Sequence, residues 1–226
     1  MNIEPIAYFH SPMTSKFGIP RQSGLMNDLQ GTIVFVPEFQ NPDAIRGLDQ
    51  FDYLWLIWEF SGNRVENANL TVRPPRLGGN ERVGVFASRS PFRPNRLGLS
   101  CVYINKVEIS SPNGPVIHVA GADLMDGTPI YDIKPYVVYA DSRPDARSGF
   151  VDQVEWHPLT VQLPDALATQ FSDVELKGLR QVLSQDPRPR YHHDESRIYG
   201  MPFAGKDVRF RVEHGILTVL EIAKIH

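Results

Sequence analysis

The sequence predicts a mainly β protein, with a β-barrel-like first part and a small mixed α+β second part. Residues 1–140 contain many short runs of β-branched and aromatic residues, which glycine, proline, asparagine or aspartate interrupt. Helical periodicity is weak there, and strands without intervening helices are typical of barrels and sandwiches rather than doubly wound sheets. After residue 154 the pattern changes, because a helix-capping motif and an amphipathic run follow.

The first part is predicted to contain six strands. They are residues 3–9, 31–36, 53–60, 83–88, 99–109 and 115–121. The run 53–58 has no polar alternation, so we expect that strand to be buried on both faces. One helical turn is predicted near residues 41–48, because Asn41 suits a cap, Pro42 suits a first turn and Asp43 is an early acid.

The polar segment 141–154 is interpreted as a linker, which gives predicted domains of residues 1–142 and 155–226. In the second domain Ser172 and Glu175 have the spacing of a capping box. The helix that they begin should end near Gln185, because Pro187 disfavours helix at the residue before it. Two strands are expected at 208–212 and 216–222.

Composition excludes several classes of protein. The 226 residues are 42% hydrophobic, which is enough for a core, and the single cysteine, Cys101, excludes an internal disulfide framework and a zinc site built on several cysteines. No metal is expected, since the pair His192-His193 has no third ligand at useful spacing. The N-terminal residues do not resemble a signal peptide, and no apolar run is long enough to cross a membrane. We therefore expect a cytoplasmic protein without a membrane partner.

Positive charge is concentrated in one stretch. Residues 73–96 contain six arginines and a single acid, Glu81, although the whole chain carries a net charge of −3. Arginine is suited to planar, bidentate contact with phosphate or carboxylate. This stretch therefore predicts a site for an anionic ligand, with nucleic acid or a nucleotide-like cofactor as first candidates. The alternative is a set of surface salt bridges.

Three other segments stand out, each with a structural alternative. Residues 18–24 place an Arg-Gln pair on backbone constrained by proline and glycine, or form an ordinary surface loop. Residues 123–136 combine three acids, a lysine and two tyrosines with apolar neighbours, which indicates either a partly buried polar site or a hairpin with solvent-facing acids. Residues 185–191 space two arginines with prolines before a tyrosine; this suits contact with single-stranded RNA, although spacing alone favours a helix-terminating loop.

Taken together, the motifs resemble those of a known family. They are PRQSG (20–24), IRGL (45–48), TVRPPRLGGN (71–80), GVFASRSPFRPNRLGLS (84–100), DLMDGTPIYDIKPY (123–136) and QDPRPRY (185–191). This set resembles the TrmO family of S-adenosylmethionine-dependent methyltransferases, which act on tRNA at the exocyclic nitrogen of threonylcarbamoyladenosine, just 3′ of the anticodon. The resemblance covers nearly the whole chain.

The resemblance implies a β-barrel catalytic domain and a homodimer with the cofactor site close to the subunit interface. By motif position, the family's contacts with S-adenosylmethionine fall on Arg21, Gln22, Ser23, Arg89, Leu99, Leu124, Met125, Asp126 and Gly127. A further contact after the third strand falls on Ser61 and Gly62, where some relatives carry larger polar residues. Arg96 departs from the family pattern, which has proline there.

A general base would assist methyl transfer, because the lone pair of the attacking nitrogen is delocalised. The candidates are the side chains of Asp126, Asp132 and Tyr136. Asp126 is equally a candidate for the cofactor's methionine end or ribose. Lys134 is a candidate for the threonyl carboxylate or a phosphate, or else pairs internally with Asp132 or Asp123.

The expected partner is tRNA, whose backbone would contact arginines in both domains. The candidates are Arg73, Arg76, Arg93, Arg96, Arg188 and Arg190. Two rival hypotheses remain: a non-catalytic RNA-binding module that has kept the barrel, and a methyltransferase of the same build acting on another RNA or a small molecule. The intact segment 123–136 favours an enzyme, because a pure RNA binder would not need it.

Overall fold

The computed structural model describes residues 2–62, 70–77, 81–112, 114–153, 157–189 and 194–225. In these residues eight strands precede the short helix α1 (Val138–Asp141): β1 (Ala7–His10), β2 (Gln30–Phe35), β3 (Tyr53–Glu59), β4 (Thr71–Val72), β5 (Val83–Gly84), β6 (Leu97–Glu108), β7 (Val116–Ala120) and β8 (Thr128–Pro135). Six of them close an antiparallel barrel in the order β1-β2-β7-β6-β3-β8, and β4 pairs with β5.

The barrel encloses one hydrophobic core, which the alternation of side chains along each strand builds. On β3 the side chains of Leu54, Leu56 and Trp58 are buried, and they pack with inward-facing residues of the other strands. The expectation that this strand is buried on both faces is wrong, because Tyr53 is 46% exposed and Trp55 is only half-buried. On the outward face of β3, the ring of Tyr136 contacts both Tyr53 and Trp55, and these two rings remain partly accessible.

Two other differences concern segment type. Of the predicted strand 83–88, only Val83–Gly84 is extended; Val85–Ala87 form a 3-10 turn, which the Ser88 hydroxyl supports by donating to the Val85 carbonyl over 2.9 Å. Strand β8 lies within the segment that was interpreted as a polar site or a hairpin. The helical turn is confirmed as Pro42–Ile45, where the Asn41 side chain accepts a hydrogen bond from the Asp43 amide over 3.0 Å.

The second part contains a small sheet with helices. Its elements are β9 (Thr160–Gln162), α2 (Asp165–Ala168), α3 (Asp173–Ser184), β10 (Tyr199–Phe203), β11 (Lys206–Glu213) and β12 (Ile216–Lys224), with the sheet order β10-β11-β12-β9. Helix α3 begins at the predicted capping box, since Ser172 and Glu175 exchange hydrogen bonds, and it is followed by Gln185 at the C-cap. The prediction of a mainly β protein with a barrel and a small α+β part is confirmed.

The interpreted linker, residues 141–154, contains regular structure in its described residues. Helix α1 reaches Asp141, and Gly149–Gln153 form 3-10 turns. The Arg76 guanidinium donates to the Val151 carbonyl over 2.8 Å, so this segment contacts the arginine stretch.

The second hydrophobic core includes residues from the N-terminal part of the chain. Met13, Met26 and Leu29, which lie between β1 and β2, pack with buried residues of α3, β10, β11 and β12. The Ala204 amide donates to the Pro12 carbonyl over 2.9 Å. The side-chain amide of Gln181 accepts from the Asp28 backbone N–H and donates to the Asp28 carboxylate. The segment 11–29, which carries the PRQSG motif, is therefore held against the C-terminal sheet.

Candidate active site

A cavity of about 620 Å³ opens at the rim of the barrel, where β3 ends and β6 begins. Its volume is in the range of small-molecule binding sites. Trp58 and Gly98 line it from inward-facing positions on these strands, whereas Trp55 and Leu99 line it from outward-facing positions. The cavity is therefore built partly by the barrel mouth and partly by its outer surface.

Predicted cofactor residues from separate parts of the chain meet in this cavity. Its lining includes Arg21, Gln22, Ser61, Gly62, Arg89, Leu99 and Met125. The Arg89 guanidinium donates to the Gln22 side-chain oxygen over 2.5 Å, which joins the PRQSG loop to the arginine stretch. Sequence reasoning placed these motifs in one site, and the fold brings them together.

The remaining predicted cofactor residues lie beside the cavity rather than in its lining. The Ser23 hydroxyl accepts from the Cys101 amide over 3.2 Å, and Leu124 is buried in the barrel core. The Asp126 carboxylate accepts from the Ser11 amide over 3.1 Å and lies 3.2 Å from the His10 ring nitrogen. Gly127 has φ +74°, a left-handed conformation that favours glycine.

The three candidate bases occupy different environments, and none lines the cavity. Asp126 bonds the segment after β1, as described. Asp132 forms an ion pair with Lys134 over 2.9 Å, the internal pair given above as the alternative for this lysine. Tyr136 packs edge-on and tilted against Tyr53 and Trp55, with centroids 6.1 and 5.9 Å away, and so reaches the cavity through Trp55.

The arginines of the stretch 73–96 are divided between the cavity and the surface. Arg93 lines the cavity, and its guanidinium donates to the Ser88 and Ser90 carbonyls over 3.0 and 3.4 Å. Arg96 pairs with Glu59 over 2.8 Å, so its charge is neutralised locally. Arg73 is exposed.

The QDPRPRY motif lies next to the PRQSG motif. The Arg188 guanidinium holds both oxygens of Asp186 over 2.8 and 2.9 Å, and this hydrogen bonding raises the pKa of Arg188. The Asp186 carbonyl accepts from Arg21 over 3.4 Å. Arg190 and the pair His192-His193 lie outside the described residues.

Three hydrogen-bonded side chains at the barrel wall of the cavity, Trp58, Ser100 and Asp123, were not among the predicted site residues. The Trp58 indole donates to the Ser100 hydroxyl over 2.9 Å, and that hydroxyl donates to the Asp123 carboxylate over 2.5 Å. Burial raises the pKa of Asp123, while the Ser100 hydrogen bond and the charge of Arg89 oppose that rise. Residue spacing in the sequence does not predict these hydrogen bonds, because the three residues lie on two paired strands and on the loop after β7.

The described residues lack both a membrane-spanning helix and a metal-type cluster of side chains. No helix in these ranges is long and apolar enough to cross a membrane. Within the same ranges, no three histidine, cysteine or acidic side chains gather as they would around a metal ion.

Residues 8–142 match the family model described as the tRNA-methyltransferase O N-terminal domain, and residues 152–225 match the TrmO C-terminal domain. The chain belongs to the TrmO family. This membership confirms the predicted family and the prediction of a methyltransferase enzyme.

Similar proteins support the same assignment. The chain is 37% identical over 217 residues to the tRNA (adenine(37)-N6)-methyltransferase of Escherichia coli strain K12, covering 92% of both chains. It is 37% identical over 230 residues, covering 98% of this chain and 97% of the relative, to a Pseudomonas aeruginosa protein that is named as a candidate S-adenosylmethionine-dependent methyltransferase. The crystal structure of TrmO from Pseudomonas aeruginosa superposes with a TM-score of 0.79 at 30% identity, covering 99% of this chain and 98% of that one.

Proposed function

We propose that this chain is an S-adenosylmethionine-dependent tRNA methyltransferase that methylates the exocyclic nitrogen of N6-threonylcarbamoyladenosine next to the anticodon. The observation that carries the proposal is the convergence of Arg21, Gln22, Arg89 and Leu99 on one cavity at the barrel rim. The names of two relatives, one a tRNA (adenine(37)-N6)-methyltransferase and one a candidate S-adenosylmethionine-dependent methyltransferase, support this proposal.

The chemistry of the cavity suits S-adenosylmethionine. Aromatic and aliphatic side chains such as Trp55, Phe92 and Leu99 offer surfaces for an adenine ring and the carbons attached to the sulfur. Arg21 and Arg89 offer donors for the carboxylate of the methionine end. When bound, the cofactor supplies an electrophilic methyl group on a positively charged sulfur.

The protein's part in the reaction is to align the nitrogen with that methyl group and to remove a proton. Alignment alone can lower the barrier by several kcal/mol. As the nitrogen–carbon bond forms and the carbon–sulfur bond breaks, the proton on nitrogen passes to a base, for which Asp126, Asp132 and Tyr136 are our candidates. A variant (Asp to Asn, or Tyr to Phe) that binds cofactor normally but fails to turn over would identify the base, and if none behaves so the base hypothesis is wrong.

We assign the barrel, residues 1–142, to cofactor binding and catalysis, and residues 155–226 to additional tRNA contact. Arg93 at the cavity and exposed Arg73 suit phosphates near the modified base and further along the backbone, respectively. Arg96 and Arg188 already form ion pairs with acids, so they are weaker candidates for phosphate contacts. Arg76, like Arg93, instead donates to backbone carbonyls and has no paired acid among the described residues. Lys134 remains a candidate for the threonyl carboxylate, because it is exposed beside Asp132. A cytoplasmic location follows from a tRNA substrate.

A homodimer is supported by an apolar stripe on the outer face of the barrel. Tyr53, Tyr103 and Leu99 are 46%, 41% and 57% exposed, and they lie on the paired strands β3 and β6. Since Leu99 also lines the cavity, a partner subunit covering this stripe would border the cofactor site. Light scattering of wild type and of Tyr103→Asp tests this: we expect a dimer that the variant dissociates, and a monomeric wild type would contradict it.

The test of the proposed function is mass spectrometry of nucleosides after threonylcarbamoylated tRNA is incubated with the protein and S-adenosylmethionine. We expect one added methyl on that nucleoside, and none on tRNA that lacks the threonylcarbamoyl group. Cofactor binding without methylation would favour the same build acting on another substrate. Absence of both would favour the non-catalytic RNA-binding module.

A further inference from the structure

The cavity contains more positive than negative charge, and its two acids differ in their partners. Glu59 forms an ion pair with Arg96 over 2.8 Å and accepts a hydrogen bond from the Tyr131 hydroxyl over 2.6 Å. Asp123, in contrast, forms no ion pair within the described residues, since no lysine or arginine nitrogen there lies within 4.0 Å of its carboxylate oxygens. Asp123 lines the cavity, and the charge of Arg89 acts on its carboxylate without an ion pair between them.

The Asp123 carboxylate is held in place from the barrel side. The Ser100 hydroxyl donates to one of its oxygens over 2.5 Å, and the Trp58 indole fixes that hydroxyl over 2.9 Å. Gly98 makes the arrangement possible, since a Cβ there would lie 2.3 Å from the Trp58 ring. A fixed carboxylate at the wall of a ligand cavity is preorganised to receive a positive group.

We propose that Asp123 is a cofactor-binding residue that receives a positive group of S-adenosylmethionine, either its ammonium or its sulfonium. The proposal rests on the proposed function, because it takes that cofactor as the ligand of the cavity. The ligand's negative carboxylate would then face Arg21 or Arg89, so that the positive and the negative group of the methionine moiety each meet a protein group of opposite charge. Asp123 would thereby fix the direction in which the methionine end enters.

The energetics of the site agree with this assignment. Burial raises the pKa of Asp123, so the ionised form is costly in the free protein. A bound cation compensates for that cost, whereas a neutral ligand leaves it in place. The residue is thus better suited to a charged cofactor than to a neutral nucleoside.

The experiment is calorimetric titration of wild type and of Asp123→Asn with S-adenosylmethionine, S-adenosylhomocysteine and 5′-methylthioadenosine. We expect the variant to bind S-adenosylmethionine roughly 10- to 100-fold more weakly, since the interaction of a negative charge with the ligand's positive group is lost. If the positive group is the ammonium, S-adenosylhomocysteine weakens equally; if it is the sulfonium, its affinity is unchanged. Methylthioadenosine, which lacks both charges, should bind the two proteins alike.

Equal affinity of wild type and variant for S-adenosylmethionine overturns the inference and leaves the proposed function standing. An equal loss for methylthioadenosine also overturns it, because the cause would then be structural. If wild type binds neither S-adenosylmethionine nor its product, the proposed function itself fails.

A second measurement needs only wild type, in case Asp123→Asn does not fold. Calorimetry in buffers of different ionisation enthalpy, between about pH 4 and 6, should detect proton release on binding S-adenosylmethionine but not methylthioadenosine. The other charged groups that line the cavity are Lys16, Arg21, Arg89, Arg93 and Glu59, and of these only Glu59 is an acid, already paired with Arg96. The same proton release for both ligands would contradict the inference.

Discussion

The two walls of the cavity are built in different ways. The barrel wall consists of side chains on the paired strands β3 and β6 and on the loop after β7, and its residues Trp58 and Asp123 are joined by hydrogen bonds to Ser100 behind them. The loop wall consists of Gln22, Arg89 and other residues on loops, whose bonds go to neighbouring loops. Strand register holds the first wall, whereas the second depends on whatever supports its loops.

The support of the loop wall comes largely from the second part of the chain. The PRQSG loop lies between Met13 and Met26, which are buried in the C-terminal core. Gly18, two residues before that motif, is packed directly against Met201 of β10. Substitutions in the barrel should therefore affect the first wall, and substitutions at the contact with β10 should affect the second.

The largest expected effect is that of Gly98→Val, which breaks the barrel wall. A Cβ at residue 98 lies 2.3 to 2.7 Å from three atoms of the Trp58 ring, so the indole must move within a packed core. Overpacking of this kind costs about 1–3 kcal/mol and sometimes more. Urea unfolding should show this loss, together with weaker binding of S-adenosylmethionine.

The matched control is Gly84→Ala, because an added Cβ there meets nothing within 4 Å and the backbone φ is −59°. We expect that variant to stay within about 0.5 kcal/mol of wild type. Equal effects of the two substitutions would mean that the indole is not confined as described.

Ser100→Ala should affect the barrel wall chemically rather than sterically. It leaves the Trp58 indole and the Asp123 carboxylate without their shared partner, at a cost of about 1–3 kcal/mol. The pKa of Asp123 is already raised, and ionisation is therefore disfavoured in the folded state; removing the hydroxyl raises it further. Part of the loss in unfolding free energy should thus exist only when Asp123 is ionised. That part should shrink as the pH falls through the pKa of Asp123.

Unfolding free energies of wild type and Ser100→Ala, measured between neutral pH and about pH 4, check this. The control compares Asp123→Asn with Asp123→Asn/Ser100→Ala. The difference in unfolding free energy between these two variants should not depend on pH, because both lack the Asp123 carboxylate. A difference that is constant with pH would show that the hydroxyl acts on the indole alone.

Gly18→Ala tests the support of the loop wall. It adds a Cβ 2.3 Å from the Met201 sulfur and places alanine at φ +90°. Gly24→Ala adds only the backbone strain, since φ is +76° and nothing lies within 4 Å. A left-handed non-glycine residue costs about 1–2 kcal/mol, so we expect Gly18→Ala to exceed Gly24→Ala in unfolding experiments.

The same comparison reports on function. Because Gly18 precedes Arg21 and Gln22 by a few residues, Gly18→Ala should also weaken binding of S-adenosylmethionine. Unchanged cofactor affinity in a destabilised protein would mean that the loop keeps its position without the contact to Met201.

The two walls also differ in how far the sequence predicts them. Arg21, Gln22 and Arg89 stand in dense local motifs, so they were predicted and lie at the cavity. Ser100 and Asp123 were missed as a pair, because only the register between β3 and β6 and the turn after β7 bring them to Trp58. The strand β8 was missed for a related reason: Tyr131, Asp132 and Lys134 obscure the alternation that a strand with one buried face would show.

The smallest expected effect concerns tRNA binding outside both walls. Arg73→Ala removes an exposed guanidinium, and if Arg73 contacts one phosphate, the slope of log affinity against log salt concentration should fall by roughly 0.7 to 0.9. Arg46→Ala is the matched control, because Arg46 is exposed but already paired with Asp43. Filter binding of tRNA at several salt concentrations measures both slopes, and cofactor affinity should be unchanged in Arg73→Ala. If the slope of Arg73→Ala equals that of wild type, Arg73 lies off the tRNA path.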